Sequence, residues 1–163
     1  MRVLRVFLHL LLVVVVAVKY KKGEIIMSKM VIGLTSGSVD KLVNAGVMMT
    51  GAAADDMEIE VYVLLTAARA FIKGNETLTD SLVEYPHLKK EFFESMERLS
   101  VPTWVEFFEQ AKEFTDVKIN ICSLAGKMWG GEQKEDFIDL VDEICGIGQY
   151  LDAAQEADLH INL

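Results

Sequence analysis

The sequence predicts a small doubly wound α/β domain, and three observations carry that expectation. Short β-branched runs alternate with helical stretches from Met30 to the end of the chain. One of those runs, IEVYVLLT, is almost continuously apolar, as suits a strand covered on both faces by crossover helices. The 163-residue chain is 52% apolar with two prolines, which supplies a core for one domain and argues against global disorder.

The elements follow in order. MVIGLT, residues 30–35, is expected as a buried strand, and SGSVD after it as a turn offering Ser and Asp for capping. Residues 41–56 are expected as a helix in which Gly46 and Gly51 permit close packing on the sheet. IEVYVLLT, residues 59–66, is the second strand, followed by a short helix that Gly74-Asn75 stops. An acidic amphipathic helix is expected over 88–99. After Pro102 another runs over 103–114, with Trp104, Phe107, Phe108, Ala111 and Phe114 near helical spacing. Those aromatics either pack their helix onto the sheet or form a lid or partner-facing surface. VKINIC, 117–122, is the third strand. A short helix or turn to Gly130-Gly131, a partly helical acidic stretch 133–140, a short strand DEICG, a helix 147–157 and a closing strand DLHINL complete the chain.

Residues 1–26 do not match the rest. Arg2 and Arg5 precede an apolar run from Val6 to Val18, and Lys19, Lys21 and Lys22 follow it. The run is short for a membrane span of roughly 20 residues, and a basic cluster stands where a secretory signal would end in small residues. Lys22-Gly23-Glu24 can be encoded by a purine-rich ribosome-binding sequence shortly before Met27. The expectation is therefore that translation starts at Met27 and that 1–26 is a gene-model extension, with a membrane anchor or a signal peptide as the alternatives. The domain proper is then 27–163, and the expected location is the cytoplasm, or a membrane-anchored protein with a cytoplasmic domain.

Sixteen basic against 25 acidic residues give a net charge of −9. Without 1–26 the chain loses five basic residues and Glu24, leaving 11 basic and 24 acidic residues, or −13. Such a balance argues against sequence-independent nucleic-acid binding, which needs clustered Lys and Arg. His9, His87 and His160 are scattered, no paired-carboxylate or Ser-His-Asp motif occurs, and two cysteines 23 positions apart make neither a disulfide framework nor a zinc clamp. No cofactor or metal is expected.

Cys122 closes the third strand, at the end of the sheet where ligands gather in open α/β domains. A turn beginning at Ser123 would aim backbone N–H groups at its sulfur, and the thiolate is the form that attacks, accepts sulfur or binds a soft metal. A free cysteine equally often only packs. Cys145 lies near the end of the next short strand, where packing is the simpler role; if the two strands are neighbours, the sulfurs could approach disulfide distance. Ser36, Gly37, Ser38 and Asp40 form the first strand-to-helix turn, which could face an anion but lacks a nucleotide-loop glycine pattern, so capping is the expected role.

MVIGLTSGSVDKLVNAGVMMTGAAADDMEIEVYVLLTAARAFIKG, with its strand, Ser-Gly-Ser-x-Asp turn and GAAA-containing helix, resembles the opening of the DsrE/DsrF-like sulfur-relay family. VKINICSLAGKMWGGEQKEDFIDLVDEICGIGQYLDAAQEADLHINL resembles its second half: a lone cysteine after the third strand, a Met-containing short helix, a K-E-D turn, and a helix leading to the final strand. The resemblance covers most of Met30 to Leu163 and is least distinctive from Tyr85 to Phe114. It implies a flavodoxin-like three-layer domain with a mainly parallel sheet that assembles into homo-oligomers. It also implies that Cys122 carries sulfane sulfur, as a persulfide or thiosulfonate, between donor and acceptor proteins, with Ser123 supporting the charged sulfur. Cys145 stands where the family pattern suggests a small aliphatic residue, which leaves open a Cys122–Cys145 disulfide. Two other functions stay open: a non-catalytic interaction or small-ligand module, and a peroxiredoxin-like thiol peroxidase in which Cys145 resolves a Cys122 sulfenic acid.

Overall fold

A computed structural model describes residues 19–21, 24–26, 28–78 and 80–163. The apolar run 6–18 and Met27, on which the leader and the alternative start rest, lie outside the described residues. Ahead of the domain, β1 (Lys19–Lys21) and β2 (Glu24–Ile26) pair antiparallel. Among the described residues no helix is long and apolar enough to cross a membrane.

Five strands form the domain's sheet: β3 (Lys29–Leu34), β4 (Glu58–Val63), β5 (Val117–Cys122), β6 (Glu143–Cys145) and β7 (Leu159–Asn162). Their order is β6-β5-β4-β3-β7 and every pair is parallel. Parallel neighbours cannot be joined by hairpins, so the connections carry the helices α1 (Val39–Ala54), α2 (Ala68–Phe71), α3 (Lys89–Arg98), α4 (Trp104–Phe114), α5 (Ser123–Met128) and α6 (Ile147–Glu156).

Strand alternation then builds three layers, as expected. Met30, Ile32, Ile59, Val61, Ile119 and Ile121 face α1 and α4, where Leu42, Met49, Trp104 and Phe108 complete the larger core. Val31, Tyr62 and Cys145 face the other way, under Tyr150 and Ala153 of α6. One helix cannot cover five strands, so this second face keeps polar side chains: Glu60, Lys118, Asn120 and Glu143 line an open groove of about 370 Å³.

Several boundaries move for physical reasons. Helix α1 starts at Val39, not Lys41, because Ser38 holds an extended N-cap backbone and the Val39 N–H donates to the Ser81 carbonyl at 2.9 Å. Strand β4 stops at Val63 rather than Thr66, since Leu65 turns into the left-handed region (φ 44°) and opens a 3₁₀ turn over Leu65–Ala67. The acidic stretch 133–140 contracts to one 3₁₀ turn, Lys134–Asp136. Gly46 packs on a helix instead of the sheet: a Cβ there would sit 2.5 Å from Phe107 Cβ of α4. A Cβ at Gly51 would meet nothing within 4 Å.

Of the α4 aromatics, Trp104 and Phe108 pack into the core, whereas Phe114 at the helix end is 73% exposed. Trp104, Phe108 and Ala111 are buried, and Phe71, Trp104 and Phe108 stack mutually with centroids 5.0–5.9 Å apart. Thr103 and Glu106 start that helix with a reciprocal capping box.

Candidate functional site

Strand β5 delivers Cys122 to the carboxyl end of the sheet. It is held in place by Asp142, whose carboxylate accepts the Ile119 N–H at 2.8 Å and the Lys112 ammonium of α4 at 2.6 Å. At Cys122 the backbone is still extended (φ −61°, ψ 123°), and Ser123 enters α5, so the cysteine is the N-cap of that helix. Its side chain makes no capping hydrogen bond. It is half-buried, resting on the edge of the larger core.

The residues after Cys122 are built to turn sharply. Gly130 takes the left-handed conformation (φ 88°) that ends α5, and the Gly131 N–H returns to the Gly126 carbonyl at 2.9 Å. A Cβ on Gly131 would lie 2.3 Å from the Phe137 ring, so only glycine fits. Asp136 of the K-E-D turn accepts the N–H groups of Glu132 and Gln133, both at 2.9 Å. These bonds hold its carboxyl below the usual carboxylate range. The Gly-Gly and K-E-D signals are therefore structural.

Cys145 is the direct register partner of Cys122 across the parallel β5–β6 pair. Both cysteines are free thiols. Cys145 is only 7% exposed, enclosed with Val31, Tyr62, Tyr150 and Ala153. Burial pushes its thiol up to about 11, and the nearby Glu143, Cys122 and Glu60 push in the same direction.

Ser36 and Ser38 sit elsewhere. Their hydroxyls lie 3.0 Å apart, the Ser38 N–H donates to Ser36 Oγ at 3.3 Å, and Ser38 makes no side-chain cap bond despite its N-cap position. The hydroxyl-to-backbone capping expected of Ser38 is thus replaced by a bond to Ser36. Both serines line a cavity of about 450 Å³ with Thr66, Arg69 and Trp129, and Cys122 is not among its lining residues. The half-buried Ser123 is simply the first residue of α5.

Around the Cys122 end, Leu65, Leu124, Met128, Ile147 and Leu151 are all more than half exposed. Leu65, Leu124 and Ile147 each lie two residues past the carboxyl ends of three neighbouring strands, β4, β5 and β6, and Met128 and Leu151 follow on α5 and α6. Trp129 is the other side chain that sequence reasoning passed over: its indole N–H bonds to the Leu65 carbonyl. A single exposed leucine carries no signal in a sequence, and only the strand order gathers these five.

A family model for DsrE/DsrF/DrsH-like proteins matches residues 63–162. The chain belongs to the DsrE/DsrF/DrsH-like family. The match opens at the last residue of β4 and closes at the last of β7, so it takes in Cys122, Ser123 and Cys145 but not Ser36 or Ser38. Membership of the DsrE/DsrF/DrsH-like family fits sulfur relay with partner proteins at a coarse level. No curated protein matches the chain.

Proposed function

We propose that this protein is a sulfur carrier, in which the Cys122 thiolate takes the sulfane sulfur of a donor and hands it to an acceptor protein. The donor's thiolate, or an equivalent sulfur leaving group, departs as the Cys122 persulfide forms. An acceptor thiolate then attacks the outer sulfur, and Cys122 leaves as thiolate. Charge and atom count are conserved in both steps, as in thiol–disulfide exchange.

The observation that carries this reading is the position of Cys122. It lies half-exposed at the carboxyl end of a strand within the matched family region, where its side chain is engaged in no capping bond. The apolar rim of Leu65, Leu124, Met128, Ile147 and Leu151 supports handover to a protein, because exposed apolar residues gathered beside a reactive group suit a docking face.

The test is uptake from polysulfide or thiosulfate by the reduced chain, followed by intact mass measurement. Wild type is expected to gain sulfur, and Cys122→Ala to gain none. Equal uptake by the two proteins overturns the reading.

A further inference from the structure

The carrier chemistry uses one thiol, and the fold positions a second beside it. We propose that Cys145 is a resolving thiol for Cys122, which attacks the inner sulfur of the Cys122 persulfide and closes a Cys122–Cys145 disulfide with release of hydrosulfide. The proposal rests on the carrier reading and adds a release route that needs no acceptor protein.

The geometry supplies the reach. Cys122 and Cys145 are register partners at the ends of adjacent parallel strands. Such strands lie about 4.8 Å apart, within the roughly 4.4–6.8 Å that disulfides span between Cα atoms. Register partners in a parallel pair project to the same face, and Asn120 and Glu143, two pairs earlier, both line the groove on that face, while Cys122 also touches the edge of the larger core. Gly146 follows Cys145 directly, and an added Cβ there would meet nothing within 4 Å.

The electron balance closes within the pair. A Cys145 sulfur lone pair forms the new bond to Cys122 Sγ. The bond between that atom and the outer sulfur breaks, and its electrons leave with hydrosulfide. The two cysteine sulfurs are oxidised to a disulfide while the sulfane sulfur is reduced to sulfide, and the Cys145 proton passes to water or to the departing sulfur. A reduced dithiol protein is the co-reactant that resets both thiols.

Burial gives the route its selectivity. Cys145 is shut in by Val31, Tyr62, Tyr150 and Ala153, so a donor or acceptor in solution meets Cys122 first. The groups facing it are Glu143 on its own strand, Glu60 and Tyr62 on β4, Cys122 on β5 and Tyr150 on α6. Its raised ionisation, about 11, keeps it protonated near neutrality. Release should accelerate about tenfold per pH unit as pH rises towards that value.

The experiment loads the reduced full-length chain with polysulfide, removes the excess, and follows sulfide release and non-reducing intact mass. Cys145→Ala and Cys145→Val are run beside wild type, so that a packing defect in one does not decide the result. Wild type is expected to lose its added sulfur and end two hydrogens lighter than the reduced chain. Both variants should load equally and release sulfide at least roughly tenfold more slowly. Equal release rates without a disulfide overturn the role of Cys145 and leave the carrier reading intact. Failure of wild type to load any sulfur overturns the carrier reading itself and this proposal with it.

Discussion

The indole N–H of Trp129 donates to the main-chain carbonyl of Leu65 at 2.9 Å, tying the end of α5 to the turn that leaves β4. Leu65 holds a left-handed backbone (φ 44°), a conformation that costs a branched residue free energy and persists only where its surroundings enforce it. Trp129→Phe keeps an aromatic ring and removes the donor. It should lower unfolding stability by about 1 kcal/mol and speed iodoacetamide labelling of Cys122, because the adjoining segment is less firmly held. Equilibrium denaturation and timed alkylation measure both; a variant unchanged in the two assays contradicts the tie.

Two glycines on one helix should respond with opposite signs. Gly51→Ala adds a methyl group to open space in a helix interior and should stabilise by up to about 1 kcal/mol. Gly46→Ala drives its methyl into Phe107, 2.5 Å away between Cβ positions, and should destabilise by roughly 1–3 kcal/mol. Paired denaturant titrations decide this, and a shared sign would mean that α1 and α4 approach differently.

Acid sensitivity is expected at Glu60. Burial alone would raise its carboxyl, but hydrogen bonds from Lys29 and from the Tyr62 hydroxyl, with the charges of Lys29 and Lys118, hold it below its ordinary value of 4.5. A carboxyl depressed on folding adds stability above its unfolded value and loses it as pH falls through the folded one. Stability should therefore decline as pH drops below about 4.5, and Glu60→Gln should flatten part of that decline. A pH series of denaturation midpoints that is identical for wild type and variant would exclude Glu60 as a contributor.

The apolar rim predicts a defect in handover. Leu124, 65% exposed beside Cys122, has no evident packing duty. Leu124→Asp should raise severalfold the concentration of thiol-bearing acceptor protein needed for half-maximal sulfur transfer. Transfer kinetics measured against a small thiol in parallel separate docking from chemistry: the two acceptors must respond differently if the rim docks a protein.

Much of the scaffold was legible because its signals are local. VKINIC forms β5 residue for residue, and Pro102 marks the start of α4 to within a residue. The end of β4 is not legible, because Leu65 adopts a turn conformation that its side chain does not advertise. Nor is the neighbour of Gly46, since a glycine announces close approach without naming what approaches. The same limit applied at the site. Cys122 could be singled out from its position after a β-branched run, whereas its pairing with Cys145 depends on the register of strands separated by 20 residues of connection. Likewise Ser36 and Ser38, at the first strand-to-helix turn, open into a cavity that Cys122 does not line, because they leave β3 and β4 lies between it and β5.

The central claim is that sulfur resides on Cys122 in the working protein. Peptide-level mass spectrometry of the natively expressed chain, isolated without reductant and alkylated at once, tests it most directly. The account predicts that the peptide carrying Cys122 bears additional sulfur, or is found joined to the Cys145 peptide. Recovery of both cysteines only as unmodified alkylated thiols, under conditions in which a known persulfide survives the same handling, would contradict it.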